Sequence, residues 1–406
     1  MRNIRGMATG LAGLLAMSAS NAMAADLSDD VVRIGVLNDM SGVYAAASGK
    51  ETVDAVQMAV EDFGGKVDGK PVEVVFADHQ NKPDVGVAIA NKWYDEEAVD
   101  VIVDVPGSSI ALAIQDIAKS KGKVFIAGGA ASADLTGKAC SPTGVHYIYD
   151  TYSLAKGAAD AAVNTLGKTA YFITVDYTFG HQLQGAVEHF MKAAGGESLG
   201  SVKHPLGTAD FSSYILQAQA SGAEVVALAN AAGDTANAIK TAREFGLTAG
   251  GQKLMALLMM APDIKGIGLE QAQDLVLVSP FFWSRTPEST AWSRRFHERT
   301  GKMPSMSQAG AYSYTMHYLK AIEAAGSDDG KTVVDQMKAM PVDDWFAKGT
   351  IREDGRMVHD MYLVQIKKPE ESTEEWDFFK LLKVIPGEEI FRPMDKGGCE
   401  FVQAAK

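Results

Sequence analysis

Small and polar side chains follow four predicted strands at the point where each strand ends. The four loops are PGSS (106–109), GGAAS (128–132), DYTFG (176–180) and NAAGDT (230–235). Ligands of open parallel sheets bind beyond the carboxyl ends of the strands, where N–H groups at helix N-termini attract anions. Small side chains let a ligand approach that backbone closely. Any single loop is more typical of a helix cap or tight turn, but the four together predict a carboxylate-binding site.

Catalytic and phosphate-binding motifs are missing from the sequence. Gly167-Lys168-Thr169 resembles the end of a phosphate loop, but it precedes a strand instead of following one. Gly107-Ser108-Ser109 departs from the GxSxG pattern because Ala111 stands at the last glycine. His181 and His189 are eight residues apart, whereas metal-binding pairs are usually three or four apart. We therefore expect no enzyme activity, no metal and no cofactor.

The elements that must position these loops alternate along the chain. Val- and Ile-rich runs, typical of buried parallel strands, are predicted at 31–37, 72–77, 99–105, 124–127, 169–175, 223–229, 253–259 and 274–283. Helices are predicted near 84–96, 109–120, 288–299 and 306–325. The pattern begins again at residue 169, so we expect an α/β fold with two similar doubly wound parallel-sheet lobes. The Asp354-Gly355 turn predicts a later hairpin.

Composition and the N-terminus indicate an exported protein that does not bind nucleic acid. The chain has 406 residues and a net charge of -13, and an acidic surface repels phosphate backbones. Arg2 and Arg5 precede a small apolar run, and Ala22-Met23-Ala24 fits the cleavage rule, so residues 1–24 are predicted to be a signal peptide. In an oxidising compartment Cys140 and Cys399 are expected to form a disulfide.

Four longer segments make the sequence resemble one protein family: IGVLNDMSGVYAAASG, VDVIVDVPGSSIALAI, VFIAGGAASADLT and ITVDYTFGHQLQGAVEHF. They are similar to the periplasmic solute-binding proteins of ABC importers, in the type I, branched-chain amino acid (Leu/Ile/Val-binding) class. The resemblance covers residues 30–365. It implies a monomer in the periplasm, whose two lobes close on a small carboxylate ligand and deliver it to a membrane permease.

The resemblance also implies how the chain is divided between the lobes. Three segments are expected to cross between them, near 146–152, 278–283 and 342–348. The expected division is lobe 1 at 25–148 and 281–344, lobe 2 at 149–280 and 345–390, and a C-terminal tail at 391–406.

Family positions suggest which residues hold the ligand. The carboxylate is expected to contact Ser108 or Ser109, the backbone N–H groups of Ala130 and Ala131, and Ser132. Phe179 stands where amino acid binders often have a tyrosine. Asp234 stands near the acidic residue that receives a ligand ammonium.

The far end of the ligand stays open at this point. Many amino acid binders have Ser-Ala-Thr where this chain has Gly-Ala-Ala, so one hydroxyl is lost. If Asp234 faces the cleft it can pair with an ammonium, and if it caps the following helix the pocket can be apolar. Aromatic side chains could then line a pocket for a benzoate- or cinnamate-like acid, with core packing as their alternative role. These are Tyr44, Tyr152, Phe179, Phe281, Phe282, Trp283 and Tyr312.

Two other classes of function compete with transport. A ligand-sensing module of a receptor would need a membrane anchor or a fused domain, and the sequence shows neither. An exported amidase-like enzyme would need a nucleophile and a base brought together by the fold.

Overall fold

Residues 27–402 are described by the computed structural model, so the predicted signal peptide lies outside the described residues. A six-stranded sheet forms the centre of the first part of the chain, which we call lobe 1. Its strands are β1 (Val32–Asn38), β2 (Lys66–Val67), β3 (Lys70–Asp78), β4 (Val101–Asp104), β5 (Val124–Ala127) and β6 (Gly144–His146). They lie in the order β2-β3-β1-β4-β5-β6, with every pair parallel except β2–β3.

A four-stranded parallel sheet forms the centre of the second part, which we call lobe 2. Its strands are β7 (Thr169–Val175), β8 (Glu197–His204), β9 (Val225–Ala229) and β10 (Lys253–Ala256). Their order is β10-β9-β7-β8. Read from the other edge, β8-β7-β9-β10 matches β3-β1-β4-β5 of lobe 1. The prediction of two similar doubly wound lobes is therefore confirmed.

Helices cover both faces of each sheet, because Val- and Ile-rich parallel strands bury both of their faces. Lobe 1 has α1 (Gly49–Phe63), α2 (Pro83–Asp95) and α3 (Ser108–Lys121). Lobe 2 has α4 (Thr151–Ala161), which continues as a π-helical turn to Leu166, α5 (Thr178–Ala193), α6 (Ser212–Ala220), α7 (Ala232–Glu244), α8 (Ala261–Ile267) and α9 (Leu269–Ala272). Every residue of β4 and β5 is buried. Each large aliphatic side chain buried there stabilises the fold by about 1.5–3 kcal/mol.

The C-terminal third contributes to both lobes. Its elements are β11 (Val276–Ser279), α10 (Pro287–Thr300), α11 (Met306–Ala325), α12 (Gly330–Ala339), β12 (Val342–Asp343), β13 (Lys348–Ile351), β14 (Met357–His359), β15 (Met361–Ile366), β16 (Phe379–Ile385) and α13 (Gly387–Ile390). Helices α10 and α11 pack on α1 of lobe 1, and β11 packs on α4 of lobe 2. Strands β11, β15 and β16 form an antiparallel sheet, and β12, β13 and β14 form another. None of the helices within residues 27–402 is long and apolar enough for a membrane span.

The first two crossings lie where they were predicted, but the third does not. The first connection, residues 146–151, joins β6 to α4, and the second joins β11 to α10. The predicted crossing at 342–348 is instead part of the hairpin β12–β13. This hairpin stays with lobe 1, because Arg356 pairs with His146 at the sheet edge. The chain therefore crosses only between His359 and Met361, and residues 345–359, expected in lobe 2, lie against lobe 1.

Two strands depart from the sequence prediction for the same physical reason. Strand β3, predicted to be buried on both faces, is only partly buried, because just the two-residue strand β2 lies beyond it. Strand β8 was not predicted, because its residues ESLGSVKH lack a Val/Ile run. It is the edge strand next to β7, where its polar side chains stay accessible. Edge strands carry weaker hydrophobic patterns than central ones, so they are harder to recognise.

The C-terminal tail is folded onto the body of the protein. Phe391 is buried, and Arg392 donates a hydrogen bond of 2.8 Å to the carbonyl of Ala133 in lobe 1. Cys399 forms a disulfide with Cys140, also in lobe 1, as was predicted. Since β16 pairs with β15 in the sheet that packs on lobe 2, the tail makes a further connection between the lobes.

Candidate functional site

A cavity lies between the two lobes, at the carboxyl ends of the parallel strands. Lobe 1 and the first connection contribute Tyr44, Ala47, Pro106, Gly107, Ser108, Gly129, Ala130, Ala131 and Tyr149 to its wall. Lobe 2 contributes Tyr177, Phe179, Ala231, Ala232, Leu258, Met260 and Asp263. The four loops predicted from the sequence all reach this wall. The cavity therefore lies where the sequence predicted a ligand site.

Ser108, and not Ser109, lines the cavity. Neither serine caps α3, because Gly107 occupies the cap position with a φ of 99°, in the region that favours glycine. Ser108 begins the helix, and its Oγ is buried without a partner among residues 27–402. The hydroxyl of Ser109 instead donates to Oγ1 of Thr178 in lobe 2, at 3.1 Å. The free hydroxyl at the positive end of a helix suits an anion.

The loop after β5 is held in place by hydrogen bonds to its carbonyl groups. Tyr149 Oη donates to the carbonyl of Gly129 at 3.1 Å, and Thr151 N donates to that of Ala131 at 2.7 Å. Between them, His146 Nε2 donates to the carbonyl of Ala130 at 2.9 Å. The N–H groups of Ala130 and Ala131 have no partner within the described range. Both residues line the cavity, so these amides are available to a ligand.

Ser132 lies just beyond the wall. It is fully buried, and its Oγ accepts a hydrogen bond from the N–H of Asp134 at the start of a 3-10 turn, Ala133–Thr136. The hydroxyl that was expected to add to the carboxylate site is thus used to shape the chain behind it. The structure does not place it in the cavity wall.

Gly129 is required because two loops meet there. A Cβ at this position would lie 2.9 Å from the N of Pro106 and 3.0 Å from Oδ1 of Asp104. The carbonyl of Asp104 accepts the N–H groups of Gly128 and Gly129, at 3.1 and 3.0 Å. Only a residue without a side chain allows these loops to approach so closely. This contact explains why small residues dominate the segment.

Asp104 is a buried acid behind the loops that sequence reasoning did not single out. Its Oδ2 accepts hydrogen bonds from Ser48 Oγ at 2.6 Å and Asn38 Nδ2 at 2.8 Å. Burial raises the pKa of Asp104 to about 7. Asp104 and Val105 have φ values of 77° and 52°, an unfavourable region for a β-branched residue. The paired hydrogen bonds from the neighbouring loop hold this turn, and with it the start of α3.

The lobe 2 side of the cavity is mainly apolar and aromatic. Phe179 lies in the first turn of α5, and Ala231 and Ala232 form the start of α7. Tyr177 was not predicted, although its loop was, and its hydroxyl hydrogen-bonds that of Tyr44 from lobe 1. Burial, as the larger cause, raises the pKa of both tyrosines, so both are neutral hydroxyl groups.

Asp263 is the acidic side chain of the cavity wall, and it was missed from the sequence. It occupies the third position of α8, where its Oδ2 accepts the N–H of Met260 at 2.8 Å. Burial raises the pKa of Asp263 to about 6, and it forms no ion pair with any residue of 27–402. The rule of polar residues after strand ends could have found it, because Asp263 follows the predicted strand at 253–259.

Asp234 neither lines the cavity nor occupies the cap position of α7. It is the third residue of α7, whose cap is Ala231, and it is absent from the cavity wall. Its Oδ2 accepts the N–H of Gly207 at 3.1 Å, and Oδ1 has no partner among the described residues. Burial raises the pKa of Asp234 to about 6. Its charge contributes to the raised pKa of Tyr44 and Tyr177.

Two predicted aromatic residues lie away from the cavity. Tyr152 packs edge-on against Phe190, with ring centroids 4.9 Å apart, because α4 turns it toward α5. Phe281 packs between Trp345 and Phe346 near the second connection. Both rings serve core packing, the alternative that the sequence left open for them.

The histidines that drew attention in the sequence do not come together. His181 lies 2.8 Å from Asp176 at the surface, and His189 packs on Phe190. Within residues 27–402 no group of three or more His, Cys, Asp or Glu side chains is arranged to hold a metal ion.

Comparisons with known proteins agree with this architecture. The family model described as periplasmic binding protein matches residues 31–372. A periplasmic binding protein from Burkholderia mallei is 48% identical, with a TM-score of 0.90, and the match covers 92% of this chain and 100% of that one. A branched chain amino acid ABC transporter periplasmic ligand-binding protein from Burkholderia xenovorans LB400 is 39% identical, with a TM-score of 0.82 and coverage of 91% and 99%.

A relative known by sequence gives the same result. The Leu/Ile/Val-binding protein homolog 6 of Brucella melitensis is 26% identical over 356 residues, which cover 85% of this chain and 90% of the relative. The fold, the cleft between the lobes and these matches lead to one conclusion. The chain belongs to the periplasmic binding protein family, in the Leu/Ile/Val-binding class of ABC importer components.

Proposed function

We propose that the protein is the substrate-binding component of an ABC importer and that it holds a small α-amino acid in the cavity between its lobes. The observation that carries this proposal is the opposite polarity of the two lobes at the cavity. Lobe 1 contributes Ser108 and two backbone amides that have no partner among the described residues, and these groups suit a carboxylate. Lobe 2 presents the Asp263 carboxyl, which suits an ammonium.

Asp263 favours an amino acid because a buried carboxylate without a cation is unstable. Its raised pKa expresses the cost of ionising a buried carboxyl that has no cation partner among the described residues. A ligand ammonium would remove much of that cost, since the ligand then supplies the missing cation. Leu258, Met260 and Phe179 form an apolar wall in the same lobe, which suits an aliphatic side chain. The relationship to the branched-chain amino acid binding protein from Burkholderia xenovorans supports this choice.

An aromatic acid is the second candidate, and a different observation favours it. Four aromatic rings line the cavity, those of Tyr44, Tyr149, Tyr177 and Phe179. Such rings pack well on a flat ligand. In this case the carboxylate of a benzoate-like acid would bind the same amides, and Asp263 would have to take up a proton to remain uncharged beside it.

Binding without turnover is part of the proposal. The Ser108 hydroxyl is the nucleophile-like group of the wall, but no histidine lies beside it and its Oγ has no partner among residues 27–402. A serine without a neighbouring base is a poor nucleophile. We further propose that residues 1–24 are an export signal and that the mature protein is a monomer in the periplasm. There it delivers its ligand to a membrane permease.

A thermal-shift screen of protein that has been unfolded and refolded without ligand tests the proposal. Leucine, isoleucine, valine and phenylalanine should raise the melting temperature, because a ligand that binds only the native state stabilises it. Benzoate and 4-hydroxybenzoate are the competing set, and leucinamide shows whether the carboxylate is needed. A rise with the benzoates alone would select the second candidate, and release of ammonia from leucinamide would indicate an amidase.

Two variants then locate the ammonium contact. Asp263→Asn should weaken binding of the best amino acid by about 2–5 kcal/mol, as for a broken buried charge pair. Asp234→Asn removes a carboxyl of similar raised pKa outside the wall, and calorimetry should give a change below about 1 kcal/mol. If Asp234→Asn weakens binding more than Asp263→Asn does, Asp234 is the residue that pairs with the ligand ammonium, as the family resemblance suggested.

A further inference from the structure

We call the loop after β5, residues 128–132, the ligand loop. Three of its consecutive carbonyl groups accept hydrogen bonds from three donors of the first connection. The carbonyls belong to Gly129, Ala130 and Ala131, and the donors are Tyr149 Oη, His146 Nε2 and Thr151 N. A carbonyl oxygen can only accept, so the His146 ring carries its proton on Nε2. The residues that join the two lobes are therefore also the residues that fix the backbone of the loop.

The orientation of these carbonyls determines where the amides point. Residues 27–402 contain no cis peptide, and a trans peptide places its C=O and N–H on opposite sides. When the Ala130 carbonyl is held on the side of His146, the N–H of Ala131 points to the opposite side, toward the cavity that Ala131 lines. The Gly129 carbonyl and the Ala130 amide are related in the same way.

We propose that His146 is a positioning residue of the binding site: it holds the Ala130–Ala131 peptide so that the Ala131 amide faces the ligand carboxylate. The inference deepens the proposed function and rests on it for the identity of the ligand. His146 is 1% exposed and does not line the cavity, so it acts through the loop and not by touching the ligand. A hinge segment thereby sets the geometry of the anion site.

The backbone around His146 keeps its ring in this position. His146 ends β6, which pairs with β5 on one side, and its own N–H donates to the carbonyl of Gly355 at 2.9 Å on the other. The backbone that carries the ring is thus held by β5 on one side and by the turn between β13 and β14 on the other. Because the ring cannot follow a displaced loop, its bond to Ala130 restrains the loop relative to the sheet.

His359 provides a matched control in the same region. It is 2% exposed, and its Nε2 lies 2.9 Å from the carbonyl of Ile148, inside the first connection. It therefore shares the burial and type of contact of His146, but it does not touch the ligand loop. Substitution of His359 therefore shows how much ligand affinity and stability are lost when a buried histidine near the first connection is removed without changing a contact to the ligand loop.

The test uses His146→Asn, whose shorter amide cannot reach the Ala130 carbonyl, and His146→Gln, whose amide nitrogen can replace Nε2. Crystal structures of the ligand-free variants and of His359→Asn should show the Ala130–Ala131 peptide rotated only in His146→Asn. An unchanged peptide in His146→Asn would overturn the inference, whether or not a ligand is known. Melting temperatures show which variants fold. If His146→Asn does not fold, the crystal structure of His146→Gln takes its place in the test. The inference then requires that the amide nitrogen of the introduced glutamine contacts the Ala130 carbonyl and that the peptide keeps its wild-type orientation.

Calorimetry with leucine and with benzoate completes the test. The probe that wild type binds should bind His146→Asn at least about tenfold more weakly, as expected for a misdirected donor to a charged group. His146→Gln and His359→Asn should stay within about threefold of wild type. Equal losses in His146→Asn and His359→Asn would mean a merely structural role. If wild type binds neither probe, the proposed function fails, while the crystal structures still decide on His146.

Discussion

At the scale of single residues, two adjacent serines at the start of α3 have different surroundings. The Ser108 hydroxyl reaches the cavity without a partner among the described residues, whereas the Ser109 hydroxyl bonds Thr178 across the cleft. Ser108→Ala should weaken ligand binding by about 1.5–3 kcal/mol, the usual value of a hydrogen bond to a charged group. Calorimetry should show a smaller loss in Ser109→Ala, which only removes an interlobe contact. The reverse order would assign the carboxylate contact to Ser109.

The raised pKa of Asp263 predicts how affinity depends on pH. Its carboxyl, whose pKa burial in the closed cleft raises to about 6, must be ionised to pair with an ammonium. Affinity for an amino acid should therefore be full above pH 7 and fall about tenfold by pH 5, one unit below that pKa. Calorimetry from pH 5 to 8 measures this fall, and Asp263→Asn should not show it. A ligand without an ammonium should lose no affinity on acidification.

The same raised pKa also affects the stability of the closed form. Burial raises it from 3.8 to about 6, so the folded state binds this proton more tightly than the unfolded state does. The contribution to the free energy of unfolding is present below pH 3.8 and is lost as the pH rises through about 6. This pH dependence of stability is opposite to that of an acid in an ion pair, because Asp263 has no cation partner among the described residues.

Part of the site was predictable from single residues because the rule behind it is simple. Small residues after buried strands indicated Ser108, Ala130 and Ala131, and all three line the cavity. Asp263 follows a predicted strand, so the same rule could have indicated it, but it was not recognised because its seven-residue helix has weak sequence signals. Tyr149 was not predicted because it belongs to a connection between the lobes. Only the tertiary structure determines the path of that connection.

At the scale of elements, the C-terminal tail adds a covalent connection. Cys140 and Cys399 are 259 residues apart, and their disulfide joins the tail to lobe 1 beside the ligand loop. The double variant Cys140→Ser/Cys399→Ser should lower the free energy of unfolding by about 2–4 kcal/mol in urea denaturation. Dithiothreitol should lower the stability of wild type by a similar amount and leave the variant unchanged. A wild type that labels with two free thiols when denatured without reductant would contradict the bond.

Central elements were predictable and peripheral ones were not. Strands β1, β4 and β5 and helices α2, α3, α10 and α11 lie within a few residues of their predicted limits, because buried strands and amphipathic helices have strong periodic patterns. The hairpin at Asp354-Gly355 is also confirmed, with Gly355 at a φ of 83°. The assignment of this hairpin to lobe 1 depends on the Arg356–His146 pairing, a contact 210 residues apart in sequence that no local pattern reveals.

At the scale of the whole molecule, the two lobes touch across the cavity. Tyr44 bonds Tyr177, Ser109 bonds Thr178 at 3.1 Å, and Gln182 donates to Asp134 at 2.7 Å. This is a closed arrangement of the cleft, and hinge bending at the connections would open it. Small-angle scattering should give a larger radius of gyration without ligand than with saturating ligand. An identical radius in both states would exclude closure as the response to binding.

The central claim is that backbone amides of lobe 1 hold the ligand carboxylate between the lobes, and a crystal structure with the best ligand of the thermal-shift screen tests it most directly. We predict carboxylate oxygens within about 3.2 Å of Ala131 N and Ser108 Oγ, with any ammonium directed to Asp263. A ligand bound outside the cavity, or a carboxylate that points away from residues 130–131, would contradict the account.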